Sequence, residues 1–281
     1  MRATRATLRS QVASTAALLL AFLVASTGAE PSLSAPALPA GEALWLRSAD
    51  LPKPGAAISS WKNAARKAKG PGAELDASKC YPAYPLQCSS APTSVSAPGG
   101  ARAASFATKA RIALGNNLIV AGDHSNSSSY SVFYVSAASS GGRLLASQIS
   151  NWLIGSWSPG GSTTLIDRAY VDSSRGDPGW LASGSADADG LWRLYGLTVA
   201  GAAQQGCAWK NTTALGCGAA RGPNVLRLGG GMGSEGGLSP AEFGTGLIAE
   251  VVAYNRELSA AEVFEVAAYY MARFPSFDWG A

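Results

Sequence analysis

The stretch Gly246–Phe274, GLIAEVVAYNRELSAAEVFEVAAYYMARF, decides the fold of this chain. Its first part, Leu247–Tyr254, is apolar except for Glu250 and contains neither Gly nor Pro, which is typical of a strand covered on both faces. Ser259 and Glu262 then have the spacing of a capping box, which predicts that a helix begins there. Apolar residues follow at intervals of three and four and predict one buried helical stripe: Val263, Val266, Ala267, Tyr270 and Phe274. The next residue is a proline, which ends the helix.

Two patterns in the chain resemble a known family. The C-terminal pattern is G-x-IAEV-x-x-Y-NR-x-LS-x-x-E followed by Y-hydrophobic-x-x-+-F, and the N-terminal pattern is LWLRSADLP…ISSWKNAA over residues 44–65. Both resemble laminin-G-like domains of the concanavalin A-like lectin/glucanase superfamily. The resemblance implies a jelly-roll sandwich in which the C-terminal helix packs on the outside, and it places Trp45, Trp61 and Trp192 in the core.

The rest of the chain is a succession of short strands. Tyr130–Ala138 alternates between two faces, and Leu191–Val199 is a second strongly apolar strand. Strands do not alternate with helices, which excludes an α/β fold. We therefore predict an all-β, antiparallel two-sheet jelly-roll sandwich with a short capped C-terminal helix.

The N-terminus predicts export. Residues 1–29 combine three arginines, an apolar run too short for a membrane span and small residues before Glu30, as in a secretory signal peptide. An uncleaved anchor is the alternative. Residues 30–42 are rich in Pro, Ala and Ser, which indicates a linker. We predict that residues 43–281 form one sandwich domain. We expect a secreted protein whose mature chain has no membrane span.

The charge of the mature chain argues against a nucleic-acid partner. The whole sequence has 22 Lys and Arg against 18 Asp and Glu, a net charge of +4. Without the three arginines of the leader the excess falls to +1. Nucleic-acid binding depends on clustered positive charge, which the mature chain lacks.

The four cysteines fall into two local pairs, Cys80/Cys88 and Cys207/Cys217. Three disulfide pairings are possible in an exported chain, and the local pairing, which closes two short loops, is the one we predict. Zinc is the alternative, but the C-x7-C and C-x9-C spacings are not those of zinc sites.

Two N-glycosylation sequons begin at Asn126 and Asn211, both in polar stretches. The second lies where the family commonly has a strand that ends in Asn-Gly. Here Thr212 follows Asn211, so we expect the tight hairpin turn to be lost and a disulfide to replace it.

Enzymatic chemistry finds little support in the sequence. His124 is the only histidine and lies in a polar loop, and no G-x-S-x-G motif occurs. The glycosidases that the chain resembles carry E-x-D-x-E or E-x-D-x-x-E on one strand face, and this pattern is missing. A G-x-G-x-x-G match at Gly231–Gly236 is not followed by a helix, which excludes a nucleotide site of the usual kind.

Two kinds of binding site remain. Laminin-G-like domains often hold calcium at the sandwich rim, and the resemblance makes Asp123, Asp187 and Asp189 candidate ligands, beside Asp172 and Asp177; solvated turn acids are the alternative. Aromatic rings near loops can stack on a sugar, which makes Trp157, Trp180 and Trp209 candidate carbohydrate-binding residues. Core packing is the alternative for each ring.

The sequence thus favours a secreted, non-catalytic module for an extracellular carbohydrate or a glycoprotein surface. Two alternatives stay open, namely a polysaccharide-cleaving hydrolase or lyase with a dispersed acidic site and a structural subunit of an extracellular coat.

Overall fold

The computed structural model describes residues 36–65, 74–76, 91–106, 112–113, 129–140, 143–147, 152–157, 166–170, 180–186, 190–220, 226–228, 233–234, 237–238 and 244–279. The strands are β1 (Glu42–Leu46), β2 (Ser60–Lys62), β3 (Glu74–Asp76), β4 (Thr93–Ser96), β5 (Arg102–Phe106), β6 (Ile112–Ala113), β7 (Tyr130–Ser140), β8 (Leu145–Ser147), β9 (Leu153–Trp157), β10 (Ile166–Tyr170), β11 (Trp180–Ala186), β12 (Arg193–Ala200), β13 (Gln205–Lys210), β14 (Thr213–Ala219), β15 (Leu226–Leu228), β16 (Gly233–Ser234), β17 (Gly237–Leu238) and β18 (Thr245–Tyr254). Helix α1 spans Ala260–Arg273.

Two antiparallel sheets contain most of these strands. Over the described residues, the large sheet has eight strands in the order β14-β13-β12-β7-β18-β5-β4, with β1 also paired to β18. The small sheet has six strands in the order β11-β10-β9-β8-β15-β6. With α1 as its capped C-terminal helix, the protein has the predicted all-β, two-sheet jelly-roll architecture.

The prediction of an interior strand near the C-terminus is confirmed by β18. This strand pairs with β7 from Thr245 to Tyr254, with β5 over its first half and with β1 over its second half. Its residues from Ile248 onward are all buried. Both edges and both faces of β18 are therefore covered by protein, as its uniformly apolar sequence predicts.

The predicted alternation of β7 separates two apolar clusters. Tyr130, Val132 and Tyr134 belong to the cluster that fills the space between the two sheets. Phe133 and Val135 belong to a second cluster on the opposite face of the large sheet, beneath α1. That opposite face is called the outer face below, and it carries the features that bear on function.

Helix α1 begins and ends as the sequence predicts. The hydroxyl of Ser259 accepts the N–H of Glu262, and the carboxylate of Glu262 accepts the N–H of Ser259, which completes the capping box. Its buried stripe is the predicted one: Val263, Val266, Ala267, Tyr270 and, at the C-cap, Phe274. After the helix the chain folds back, and Phe277 stacks on Trp192 at a centroid distance of 4.1 Å.

The expectation that the tight turn at Asn211 is lost is wrong. Lys210 is paired with Thr213, so β13 and β14 form a hairpin with only Asn211 and Thr212 in the loop. Asn211 adopts φ of 53°, and Asn tolerates this left-handed conformation better than most residues. The disulfide does not replace the turn but adds to it, because Cys207 and Cys217 lie directly opposite each other in the hairpin.

Strand β11 is among the strands that the sequence did not predict. Residues 180–186, WLASGSA, form β11, which pairs with β10 at the edge of the small sheet. The segment is rich in small residues with low strand propensity, so pairing with β10 overrides its local preference. No helix within the described residues is long and apolar enough to cross a membrane.

Candidate functional site

The outer face of the large sheet has two regions with different surroundings. Helix α1 covers the strands β7 and β18, where it buries its apolar stripe. The hairpin β13–β14 lies at the edge of the same sheet, and most residues of β14 are exposed or partly exposed. The covered region contains a buried carboxylate, and the open region contains an aromatic pair.

The buried carboxylate of Glu250 is the polar centre of the covered region. Glu250 is 0% exposed, and its carboxylate accepts hydrogen bonds from Arg273 Nε at 2.7 Å and from the backbone N–H of Ser48 at 3.0 Å. The indole N–H of Trp45 donates at 3.2 Å, and Arg273 Nη2 lies 2.7 Å away. Strand β1, strand β18 and helix α1 are thus joined through one side chain.

These contacts give a physical reason for the C-terminal sequence pattern. Its acidic strand position is Glu250 and its basic helix position is Arg273, which form the ion pair. Its NR and LS-x-x-E positions include Arg256 and Glu262, whose side chains pair at 2.6 Å beside the capping box. The pattern therefore encodes the docking of α1 onto the sheet.

Glu250 is poorly suited to catalysis. Burial raises the pKa of Glu250 above its ordinary value, while the ion pair with Arg273 and the hydrogen bonds from Trp45 and Ser48 act in the opposite direction. All of its contacts are with donors of the same chain, and the fully buried carboxylate cannot face a glycosidic bond. Glycosidases need two carboxyl groups on either side of that bond. The arrangement around Glu250 is structural.

Trp209 is the candidate carbohydrate-binding residue whose side chain the structure describes. It lies on β13 opposite Gly196 of β12, and its indole N–H donates to Thr198 Oγ1 at 3.3 Å. The ring of Phe133 occupies the space that a side chain at position 196 would need. Trp209 is partly buried by these neighbours and keeps part of its surface in solvent.

Phe264 contacts Trp209 from the second turn of α1. The ring centroids are 6.4 Å apart and the ring planes meet at 76°. Phe264 is 48% exposed, and among the described residues it is the large apolar side chain that stands out in solvent. We call Trp209 and Phe264 the aromatic corner.

The position of Phe264 on α1 is itself a signal in the sequence. Phe264 does not belong to the apolar stripe of α1, so the helical period places it on the exposed side. An aromatic residue at such a position exposes apolar surface without contributing to the core, which is a reason to test it for binding.

The structure brings no second candidate ring to the aromatic corner within the residues it describes. Trp157 is opposite Ile166 and Trp180 is opposite Tyr170, so the two lie at opposite ends of β10 in the small sheet. Their side chains are outside the described part. Asp123, Asp172, Asp177, Asp187, Asp189, Asn126, Cys80 and Cys88 also lie outside the described residues, and the predictions made for them stay predictions.

Asn211, the second sequon residue, has a structural part in the hairpin. Its backbone N–H donates to the carbonyl of Leu194 at 2.7 Å, and its Oδ1 accepts the N–H of Leu194 at 3.0 Å. The residue is 9% exposed. These two bonds attach the hairpin turn to β12 and hold Trp209, two residues earlier, beside Thr198. Glycosylation of Asn211 stays a prediction.

No protein-family model matches the sequence, and no curated protein matches it. Among solved structures, the chain is similar to the binding domain of Paraclostridial Mosquitocidal Protein 1, with a TM-score of 0.50 and 12% identity over 82% of this chain and 52% of that one. It is also similar to domain 4 of a GH43 extracellular arabinanase from Geobacillus stearothermophilus in complex with arabinotriose, with a TM-score of 0.44 and 18% identity over 63% of this chain and 81% of that one.

A third similar structure is the native heptameric SAP-like pentraxin from Limulus polyphemus, with a TM-score of 0.35 and 14% identity over 50% of this chain and 69% of that one. The similarity to the mosquitocidal protein, of which the chain spans about half, supports the fold alone. The two lower scores support nothing further.

Proposed function

We propose that this chain is a secreted, non-catalytic β-sandwich domain that binds an extracellular carbohydrate, either free or on a glycoprotein, through the aromatic corner. The observation that carries the proposal is the contact between Trp209 and Phe264 at the open edge of the outer face. Trp209 is anchored by its indole N–H, and the backbone of Phe264 is held on a capped helix, so both residues are in position before any ligand arrives.

The chemistry of the two rings suits a sugar. One face of a sugar ring is formed by C–H groups, which pack on the face of an aromatic ring, while the hydroxyl groups stay in water. The resemblance of the sequence to the concanavalin A-like lectin/glucanase superfamily supports the same ligand class. Membership of that superfamily is part of this proposal.

Export is the second part of the proposal. The disulfide Cys207–Cys217 is of a kind that persists in oxidising compartments, and the leader at residues 1–29 supplies the route. We expect the exported chain to begin at Glu30 and its linker to precede the sandwich. N-terminal sequencing of the secreted protein tests this, and a retained leader contradicts it.

A glycan array probed with the full exported chain tests ligand binding, with and without calcium. Trp209→Ala should lower the affinity for the bound glycan roughly ten-fold, because a lost aromatic contact of about 1.5 kcal/mol corresponds to that factor. Trp209→Phe should retain most of the affinity. A chain that binds no glycan in either condition contradicts the proposal.

Trp279→Ala is the matched control for the array. Trp279 is also a partly buried tryptophan on the outer face, packed against Phe277 after the end of α1. The ten helical residues from Phe264 to Arg273 span about 15 Å, and Trp279 is paired with Trp192, four residues before the Gly196 that lies opposite Trp209, so this ring is remote from the aromatic corner. If Trp279→Ala lowers the affinity as much as Trp209→Ala, the site is not at the corner.

The same protein tests the enzymatic alternative. Incubation of the glycan that binds best should release no reducing ends, because Glu250 is held by Arg273 and the sequence lacks the E-x-D-x-E and E-x-D-x-x-E patterns of the glycosidases that it resembles. Release that disappears on substitution of Asp187 or Asp189 would establish a dispersed catalytic site instead.

A further inference from the structure

The two rings of the aromatic corner do not form a flat platform. Their planes meet at 76° with the centroids 6.4 Å apart, so one ring stands nearly upright beside the other. A flat ligand surface can rest on the face of only one of two perpendicular rings. A compact ligand that has both a face and a rim of C–H groups can contact both rings at once.

From this geometry, and on the basis of the function proposed above, we infer that the aromatic corner receives a single uncharged sugar ring of a soluble glycan and does not bind the flat surface of a crystalline polysaccharide. A crystalline surface presents many sugar faces in one plane and requires coplanar aromatic rings. The two rings of the aromatic corner are instead nearly perpendicular, so one can contact the face of a single sugar ring and the other its rim.

The surroundings of the aromatic corner determine the charge of the ligand. Thr198 and the disulfide of Cys207 and Cys217 lie beside Trp209 on the outer face and carry no charge. Lys210, next to Trp209 in sequence, is paired with Tyr195 of the cluster between the sheets and so belongs to the other face of the strand. Glu265, exposed beside Phe264 on α1, is the nearest acidic neighbour in sequence and disfavours an anionic ligand. A neutral hexose or pentose is therefore preferred over a uronic acid or a sulfated sugar.

The backbone on either side of the aromatic corner holds its two residues in place. Trp209 lies between the disulfide at Cys207 and the turn at Asn211, which is bonded to Leu194. Phe264 lies on a helix whose first turn is closed by the capping box. The backbone segments that carry the two rings are thus held by the fold, and the angle between the rings is the one that their side-chain rotamers adopt.

Titration calorimetry with soluble neutral oligosaccharides of increasing length tests the inference, together with sedimentation assays on insoluble crystalline polysaccharide. The affinity should reach its limit within about two sugar units, and the crystalline material should not retain the chain. Phe264→Ala should lower the affinity for the soluble ligand about five-fold, which is about 1 kcal/mol, the size of one aromatic contact. Uronic acid or sulfated oligomers should bind at least ten-fold more weakly than their neutral counterparts.

The outcomes separate this inference from the function on which it rests. Retention on crystalline polymer that Trp209→Ala abolishes, an affinity that keeps rising with chain length, or a preference for anionic glycans overturns the inference and leaves carbohydrate binding in place. Absence of binding to every glycan overturns the proposed function itself. Phe264→Ala changes an exposed side chain, and the midpoint of its unfolding curve should match that of the unsubstituted chain.

Discussion

The outer face of the large sheet contains two regions that are built from neighbouring strands. They differ in the hydrogen-bond partners and the exposure of their side chains. Under α1, Glu250 accepts hydrogen bonds from two separate segments of the chain, residues 45–48 and Arg273 of α1, and is sealed from water. At the hairpin, Trp209 uses its one polar atom on Thr198 and leaves an aromatic surface beside an exposed phenylalanine. The same sheet therefore provides one region whose polar group is enclosed by the chain and one whose aromatic surface stays partly open to water.

The comparison of the two regions shows that burial of a carboxylate is not by itself evidence of catalysis. A buried acid in a strand is an obvious candidate for catalysis, yet Glu250 is fully occupied by its own chain. Replacing a buried ion pair by apolar residues is often neutral, so the pair is weak evidence of extra stability. Its contacts instead favour one register of α1 on the sheet, and we offer this role as a hypothesis.

The largest expected loss of stability comes from a substitution in the covered region. Glu250→Ala should lower the free energy of unfolding by about 3–5 kcal/mol at neutral pH, because Arg273 and the buried N–H of Ser48 both lose their partner. Urea denaturation measures this. A loss below about 1 kcal/mol would mean that the network relaxes at little cost and has no role in docking the helix.

Tyr270→Phe is the matched control for this prediction. Tyr270 is a buried residue of the same helix, and its hydroxyl has no hydrogen-bond partner among the described residues. Removing a buried polar group that lacks a partner should change the free energy of unfolding by less than about 1 kcal/mol. An equal loss for both variants would attribute the effect to packing and not to the ion pair.

The second largest loss of stability comes from removal of the disulfide that supports the open region. Replacement of both Cys207 and Cys217 by Ala should lower the free energy of unfolding by about 2–3 kcal/mol, the value expected for a loop with a sequence separation of 10. Amide hydrogen exchange should accelerate most in β14, the edge strand, and little in β7. Uniform acceleration across both strands would contradict a local role for the disulfide.

The fold could be predicted from the sequence where local pattern and tertiary structure agree. The uniformly apolar β18, the alternating β7 and the capped α1 each show their burial in their own residue spacing. Strand β11 and the hairpin turn at Asn211 could not be predicted in this way. The first has low strand propensity and depends on pairing with β10, and the second uses Asn in a left-handed conformation without the usual Gly.

The candidate site could be predicted only in part. Trp209 was identified, but its partner Phe264 is 55 positions away in sequence, and no spacing rule connects the two. Trp45, which the resemblance places in the core, is only half-buried. Its indole N–H donates to Glu250, which lies 205 positions later in the sequence. Contacts between residues so far apart in sequence depend on the topology of the whole sheet and cannot be predicted from local spacing.

The third effect concerns the boundary between the two regions, at Gly196. A methyl group at this position would collide with the ring of buried Phe133, so Gly196→Ala should cost about 1–3 kcal/mol through overpacking. Because Trp209 lies opposite Gly196, a displaced Phe133 should also change the fluorescence of Trp209. Thr213→Ala, an exposed change in β14, should alter neither property and serves as the control.

The smallest effect tests the cap of α1, which holds Phe264 in place. Ser259→Ala should cost about 1 kcal/mol, the usual value for a lost N-cap. The hydrogen bonds from Arg256 and from the N–H of Ser259 lower the pKa of Glu262 from its ordinary 4.5 to about 2. The stability that this carboxylate contributes is therefore present above about pH 4.5 and is lost as the pH falls towards 2.

Glu262→Gln should consequently be less stable than the unsubstituted chain at pH 7, and the difference should shrink between pH 4.5 and pH 2. Thermal unfolding followed by circular dichroism across this range measures the difference. Glu265→Gln, on the same helix and exposed, is the control and should track the unsubstituted chain throughout. A Glu262→Gln difference that stays constant down to pH 2 would show that the charge of Glu262 has no part in the cap, and that Phe264 is held in place by packing alone.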